Sequence, residues 1–104
     1  MPTIDAFVKM TRQGQVVEME RSLNLNPTLL NQTDISNLTA LHHVSISGQI
    51  AVMELLLRRG ACVNLVNSVN MTPLTFACMK KKEAAARLLI EAGTDVNITD
   101  KVSN

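Results

Sequence analysis

Apolar and polar positions follow one another along the chain with the spacing of short amphipathic helices separated by polar turns. Residues 50–58 carry apolar side chains at helical intervals, which predicts one such helix, and a glycine follows it closely. Residues 40–47 predict a shorter helix, which Thr39 caps through its hydroxyl and Gly48 ends as a left-handed residue. The segment after the second helix, residues 61–71, is rich in Asn and predicts an extended, hairpin-like loop.

The same pattern recurs at a fixed offset. Thr39-Ala40-Leu41 aligns with Thr72-Pro73-Leu74, which lies 33 residues further along the chain. Further pairs at this offset are Leu55-Leu56-Leu57 with Leu88-Leu89-Ile90, Gly60 with Gly93, Val63-Asn64 with Val96-Asn97, Asn37 with Asn70, and Asp34 with Asn67. Residues 14–20 align more loosely with residues 48–54, at an offset of 34. A repeat of this length predicts a stack of similar supersecondary units.

These residues resemble the ankyrin repeat, which opens as D-x-x-G-x-T-P-L-H and closes as L-L-L-x-x-G-A-D-V-N. The resemblance extends from about Ile4 to Asp100. It implies an all-α fold, an ankyrin-repeat solenoid of helix-turn-helix units joined by β-hairpin-like loops. Within a single domain over 1–104, the expected units are a divergent N-terminal repeat at about 4–33, repeat two at 34–66, repeat three at 67–99, and the start of a truncated further repeat at 100–104.

Four of the departures from the family's pattern bear on the backbone or on a hydrogen bond. Asn37 and Asn70 replace the hairpin glycine, and Lys81 replaces the glycine between the two helices of repeat three. These slots need positive φ, which Asn tolerates, whereas Lys costs about 1 kcal/mol more than glycine there. Thr75 replaces a histidine and therefore loses a side-chain hydrogen bond. We expect repeat three to be the least stable repeat and to fray first.

Composition excludes several classes of protein without naming a partner. A hydrophobic fraction of 46% is too high for a disordered chain, and a net charge of +1 argues against a dedicated nucleic-acid binder. No apolar run approaches the roughly 18–20 residues of a membrane span, so we expect no membrane insertion. The first residues do not form a signal peptide, and the two cysteines are isolated. These features favour a reduced intracellular compartment, cytoplasmic or nuclear.

No motif for catalysis, a metal or a cofactor is present in the sequence. His42 and His43 are adjacent, so on a helix they point about 100° apart and cannot share a metal. The resemblance gives His42 a structural role, in which it bonds to nearby backbone, whereas His43 is expected to be solvated, with ligand contact as the alternative. We expect Cys78 in the core and Cys62 partly exposed. The chain is therefore predicted to be no enzyme and to hold no cofactor or metal.

The resemblance also implies a binding surface, because ankyrin arrays bind proteins through their hairpin tips and the exposed side of each first helix. The hairpin-tip positions here are Ile35, Ser36, Leu38, Ser68, Val69 and Met71. The helix positions are His43, Ile46, Ser47, Phe76, Met79 and Lys80, to which the N-terminal repeat adds Lys9, Arg12 and Gln13. Many of these side chains are apolar, which is typical of an interaction site with Phe76 as its anchor. Packing of these side chains against one another is the alternative.

The predicted function is that of a protein-protein interaction module, an adaptor or scaffold that binds another protein. The alternative is a regulatory or targeting segment of a larger multidomain enzyme, such as a kinase or ubiquitin-ligase component. Residues 100–104 provide no polar C-terminal cap, which favours a fragment of a longer protein over an end face covered by a partner or a second copy. The basic run Lys80-Lys81-Lys82 is typical of a solvated face, with an acidic partner or a phosphorylated peptide as the alternative.

Overall fold

A computed structural model of the chain describes residues 3–93, which form six α-helices, one short 3-10 helix and no β-strand. The elements are α1 (Ile4–Gln13), α2 (Val16–Leu25), the 3-10 helix (Pro27–Leu30), α3 (Ala40–Ser47), α4 (Ile50–Arg58), α5 (Pro73–Met79) and α6 (Glu83–Glu91). The all-α prediction and the predicted limits of α3 and α4 are confirmed. The end of repeat three, from residue 94, and the start of a further repeat at 100–104 lie outside the described residues.

The six helices pack as two layers. Helix α3 lies between α1 and α5, and these three form the inner layer. Helix α4 lies between α2 and α6 in the same way, and these form the outer layer. Each inner helix is joined by a short turn to the outer helix that follows it, so residues 3–93 form a stack of three helix pairs. This is the predicted solenoid of helix-turn-helix units.

Equivalent residues begin and end the inner helices. Thr3, Thr39 and Thr72 each accept a hydrogen bond from the backbone amide three residues further on, at 3.2, 3.3 and 3.2 Å. These bonds satisfy amides that have no partner within the helix. Helices α1 and α3 end at Gly14 and Gly48, whose φ angles of 73° and 76° lie in the left-handed region. The same local chemistry therefore begins all three inner helices and ends α1 and α3.

Three residues other than glycine also adopt positive φ in the described part of the chain. Asn37 and Asn70 have φ angles of 65° and 67° in the two hairpin-like loops, and Lys81 has a φ of 58° in the turn between α5 and α6. These are the three positions at which the sequence departs from glycine, so the predicted left-handed conformations are confirmed. The Lys81 backbone carries a steric cost that Gly48 avoids at the equivalent turn.

The core runs through all three helix pairs as one cluster of small apolar side chains. Phe7, Leu41 and Leu74 occupy equivalent positions of the three inner helices, and each is buried. Two hydroxyls enter this core: Thr11 donates to the carbonyl of the residue four before it at 3.0 Å, and Ser45 does so at 2.7 Å. Both polar groups are thereby satisfied without water.

Cys78 corrects one prediction. The sequence placed it in the core, but the structure leaves it exposed. Its equivalents Thr11 and Ser45 are buried with no exposed surface, because each is covered by the next helix pair. Cys78 belongs to the last described pair, and no described helix packs on that side of α5. Cys62, which the sequence predicts to be partly exposed, is exposed.

Candidate protein-binding surface

The same pattern of side-chain-to-backbone hydrogen bonds shapes both hairpin-like loops. The Asp34 carboxylate accepts hydrogen bonds from the amides of Ser36 and Leu38, at 2.9 and 3.0 Å. The Asn67 side-chain oxygen accepts in the same way from the amides two and four residues further on, at 3.0 and 2.9 Å. Side chains that bond their own loop backbone in this way hold a turn in one conformation. Both loop tips are therefore fixed before any partner arrives.

The two tips lie side by side. The Asn37 side-chain amide donates to the Ser68 hydroxyl at 3.2 Å, which joins the first loop to the second. Beside this bond, Ile35 is 98% exposed and Val69 is 67% exposed. Large apolar side chains that stay in water at adjacent, rigid tips are typical of an interaction surface.

His42 ties helix α3 to the second loop. Its Nδ1 accepts a hydrogen bond from the Thr39 amide at 3.1 Å, so Nε2 carries the proton and donates to the Met71 carbonyl at 3.1 Å. Burial lowers the pKa of His42, which keeps the ring neutral in the folded protein. The predicted structural role of His42 is confirmed. Among residues 3–93, the side chain of its equivalent Thr75 reaches only the Thr72 hydroxyl, at 3.1 Å, and the bridge has no counterpart there in the third pair.

His43 is held by an acidic side chain rather than by water. Its Nε2 lies 2.8 Å from an Asp34 carboxylate oxygen, and the two side chains are only 12% and 10% exposed. Burial opposes ionisation of Asp34, but hydrogen bonds from His43 and from the Leu38 and Ser36 amides outweigh it and hold the pKa of that carboxyl below its usual range. The expectation that His43 is solvated is therefore wrong. The pair forms part of the floor between α3 and the first loop.

Phe76 and Met79 differ in how far they reach into water. The Phe76 ring is half-buried and meets the edge of the His42 ring, with ring centroids 5.7 Å apart and planes at 88°. Met79, one turn further along α5, is 58% exposed. Met79 and Lys80 therefore offer more free surface than Phe76, whose ring also supports the His42 bridge.

The structure divides the twelve predicted binding residues into two groups. Those exposed are Ile35, Ser36, Ser68, Val69, Met79 and Lys80. Those half-buried beneath or beside them are Leu38, His43, Ile46, Ser47, Met71 and Phe76. The inner helices and the loops bring both groups to one side of the stack, and the exposed Lys9, Arg12 and Gln13 of α1 extend it. We call this side the inner face.

Sequence reasoning missed the part played by Asp34 and Asn67, which shape the loops. Their signal was present, because each lies three residues before an Asn that needs positive φ. It also missed an open cavity of about 300 Å³ at the end of the stack, between α5 and α6. The cavity is lined by Ala77, Cys78, Lys81, Lys82, Glu83 and Ala86.

Residues 3–93 offer neither a metal site nor a membrane span. This part of the chain has no cluster of three or more side chains able to hold a metal ion. Nor does any helix in it have the length and apolar character needed to cross a bilayer.

Comparisons with known proteins point to one family. A family model for ankyrin repeats, in three copies, matches residues 11–100. The putative E3 ubiquitin-protein ligase XBAT31 of Arabidopsis thaliana is 32% identical over 91 residues, which cover 86% of this chain and 20% of the ligase. Human protein phosphatase 1 regulatory subunit 27 is 31% identical over 94 residues, 90% of this chain and 61% of the subunit.

The fold has a solved counterpart as well. A chain in the complex of a predatory endopeptidase from Bdellovibrio bacteriovorus with an immunity protein superposes with a TM-score of 0.81 at 26% identity. The match covers 88% of this chain and 48% of that chain. The chain thus spans less than two thirds of the length of each of these three proteins.

Proposed function

Because this chain belongs to the ankyrin-repeat family of protein-interaction modules, we propose that it binds another protein through its inner face and catalyses no reaction itself. One observation carries the proposal: Ile35, Val69 and Met79 expose apolar side chains on rigid parts of the same side. The family relation supports a binding role, and the similarity to a phosphatase regulatory subunit supports a non-catalytic one. The mechanism is therefore recognition by a preformed surface.

The surface needs little ordering when a partner binds. The Asn37–Ser68 hydrogen bond joins the tips, and His42 joins α3 to the Met71 carbonyl at the base of the second loop. Groups that are already fixed lose little conformational entropy on binding, so more of the interaction energy appears as affinity. Met79 is the adaptable member, since its unbranched side chain fills irregular gaps.

Photo-cross-linking in the native cell tests the proposal. A photoreactive amino acid is placed at Val69 on the inner face or at Val17 on α2, which are 67% and 66% exposed. We expect a discrete protein adduct from position 69 and none from position 17. Adducts of equal yield from both positions, or from position 17 alone, would show that the inner face is not the binding surface.

A second candidate is a regulatory or targeting segment of a larger enzyme. The similarity to the putative ubiquitin ligase, of which this chain spans only 20%, favours it. An antibody against residues 3–93, used on an immunoblot of the native cells, separates the two candidates. A band near the 11.4 kDa of this chain supports a free-standing module, whereas a much larger band supports the enzyme segment.

Self-association through the end of the stack is a further possibility for the same chain. The cavity between α5 and α6 and the exposed Cys78 lie where the other two helix pairs are covered by a neighbour. Light scattering over a concentration series tests it: a mass of 11.4 kDa throughout excludes self-association, and a mass that rises with concentration supports it.

The proposed compartment is intracellular, cytoplasmic or nuclear. The two cysteines, Cys62 and Cys78, are both free and exposed, which suits a reducing environment. Immunofluorescence of the endogenous protein checks this placement, and a signal outside the plasma membrane would contradict it.

A further inference from the structure

The charges of this nearly neutral chain are distributed unequally between its two layers. The inner helices and the residue that ends α5 expose three cations, Lys9, Arg12 and Lys80, against the single carboxylate of Asp5. The outer helices and the cap residues of α4 and α6 carry five glutamates and five cations: Glu18, Glu20, Glu54, Glu83 and Glu91, and Arg21, Arg58, Arg59, Lys82 and Arg87. The net charge of +1 therefore conceals a basic inner face beside an outer layer whose charges balance.

Within residues 3–93, no carboxylate pairs with any of the three inner cations. On the outer helix α2, Glu18 and Glu20 pair with Arg21 and Arg58, at 3.4 and 3.9 Å. Lys9, Arg12 and Lys80, in contrast, form no ion pair with any side chain of residues 3–93. The carboxylate beside the inner face, that of Asp34, is already occupied by His43 and two backbone amides. The inner face thus presents positive charge that is free to attract a ligand.

We propose that the partner's binding segment is an acidic peptide with interspersed apolar residues, a conclusion that rests on the inner face being the binding surface. Its carboxylates meet Lys9, Arg12 and Lys80, and its apolar side chains meet Val69 and Met79. Nucleic acid fits less well, because an unpaired strand needs exposed aromatic platforms, whereas the Phe76 ring on this face is half-buried against His42.

The layout of the face also sets the spacing within the peptide. Packed helices lie about 8–10 Å apart, so about 16–20 Å separates α1, with Lys9 and Arg12, from α5, with Met79 and Lys80. An extended chain advances about 3.3 Å per residue, so about 5–6 residues cross this distance. The acidic side chain that meets α1 and the apolar side chain that meets Met79 should be about that far apart.

Display selection on the intact chain tests the inference with a defined probe. Random peptides of about 12 residues, long enough at about 3.3 Å each to cross the three inner helices, are selected on the protein and measured individually. Each is then measured against three variants: Lys80→Glu and Met79→Ser on the inner face, and Arg87→Glu as the matched control on α6. Thermal melts confirm that all three variants fold. A thymidine oligonucleotide of the same length serves as the polyanion control.

The inference predicts that selected peptides are net negative and contain apolar residues. Their affinity should fall at least about tenfold with Lys80→Glu, change less than about twofold with Arg87→Glu, and weaken with added salt. If the selected peptides are neutral or basic and Met79→Ser still weakens their binding, the inference that the peptide is acidic is wrong, whereas the proposed function is retained. Peptides whose affinity changes with neither Met79→Ser nor Lys80→Glu would show that the inner face is not the binding surface. If the oligonucleotide competes for the protein as well as the peptides do, the inner face is a general polyanion site and the inference of a peptide ligand is wrong.

Discussion

The second and third helix pairs share a backbone pattern but differ in what covers them. Ser45 of α3 and Leu55 of α4 are fully buried, because α5 and α6 pack over them. Their equivalents 33 residues later, Cys78 and Leu88, are exposed and half-buried. Identical local structure therefore gives different burial, which teaches that stability in this stack depends on neighbouring pairs as much as on the pair itself.

The two pairs also differ in their polar contacts. The second pair has the His42 bridge and the Asp34–His43 pair, at 3.1 and 2.8 Å. At the equivalent positions the third pair has Phe76 and Thr75, whose side chain bonds only Thr72 among residues 3–93. The third pair thus has fewer side-chain hydrogen bonds of this kind and more exposed apolar surface. The expectation that repeat three is the least stable stays a prediction, and matched substitutions in the two pairs test it.

The largest contrast is expected from a carboxylate placed at equivalent positions. Ser45→Asp buries an unpaired charge and should lower the free energy of unfolding by about 4 kcal/mol. Cys78→Asp leaves its carboxylate in water and should cost less than about 0.5 kcal/mol. Urea denaturation followed by circular dichroism measures both. Similar losses for the two variants would mean that Cys78 is covered in solution.

A truncated leucine should distinguish the pairs by a smaller margin. Leu55→Ala removes a fully buried side chain and should cost about 3 kcal/mol, whereas Leu88→Ala, at a half-buried site, should cost about 1 kcal/mol. The same denaturation experiment provides the values. Equal costs would contradict the view that the neighbouring pair supplies most of the burial.

Loss of the His42 bridge should have the next largest effect. His42→Ala leaves the Thr39 amide and the Met71 carbonyl without partners and should cost about 2 kcal/mol, against less than about 1 kcal/mol for Thr75→Ala. If Thr75→Ala lowers the free energy of unfolding as much as His42→Ala does, the His42 bridge does not distinguish the two pairs.

The pH dependence of unfolding checks the same bridge. Because burial lowers the pKa of His42, the unfolded chain takes up a proton below its ordinary value of 6.5 while the folded chain resists it. The free energy of unfolding should therefore fall as pH drops below 6.5, and His42→Ala should lose this part of the dependence. If the pH dependence of the free energy of unfolding is unchanged in His42→Ala, other titrating groups cause it.

The smallest effect is expected in the turns between paired helices. Lys81→Gly relieves a φ of 58° and should stabilise the protein by about 0.5–1 kcal/mol. Gly48→Ala, in the equivalent turn, should destabilise it by about 1 kcal/mol, because its φ is 76° and the new Cβ would lie 2.9 Å from the Lys82 side chain. Thermal melts measure both changes, and a destabilised Lys81→Gly variant would contradict the strain argument.

Local rules explain what the sequence predicted well. The offset of 33 residues, the capping threonines and the left-handed Asn37 and Asn70 each depend on a few neighbouring residues, and each was visible in the letters. The fold and the limits of α3 and α4 followed from them. The general location of the inner face followed from the family resemblance.

The details that sequence did not predict depend on contacts between distant residues or between pairs. Cys78 lies in the same slot as Ser45, and only the position of its pair in the stack makes it exposed. His43 was expected in water because its helix position points outward, yet the first loop brings Asp34 within 2.8 Å of it. Neither outcome can be derived from spacing along one helix.

Affinity measured on Met79→Ser and Ile90→Ser tests the central claim, that the inner face binds a partner, most directly. The two residues belong to one helix pair and are 58% and 51% exposed, but Met79 lies on the inner helix and Ile90 on the outer one. With the partner recovered by cross-linking at Val69, we predict that Met79→Ser weakens binding about tenfold and Ile90→Ser changes it less than about twofold. A larger loss from Ile90→Ser than from Met79→Ser would contradict the account.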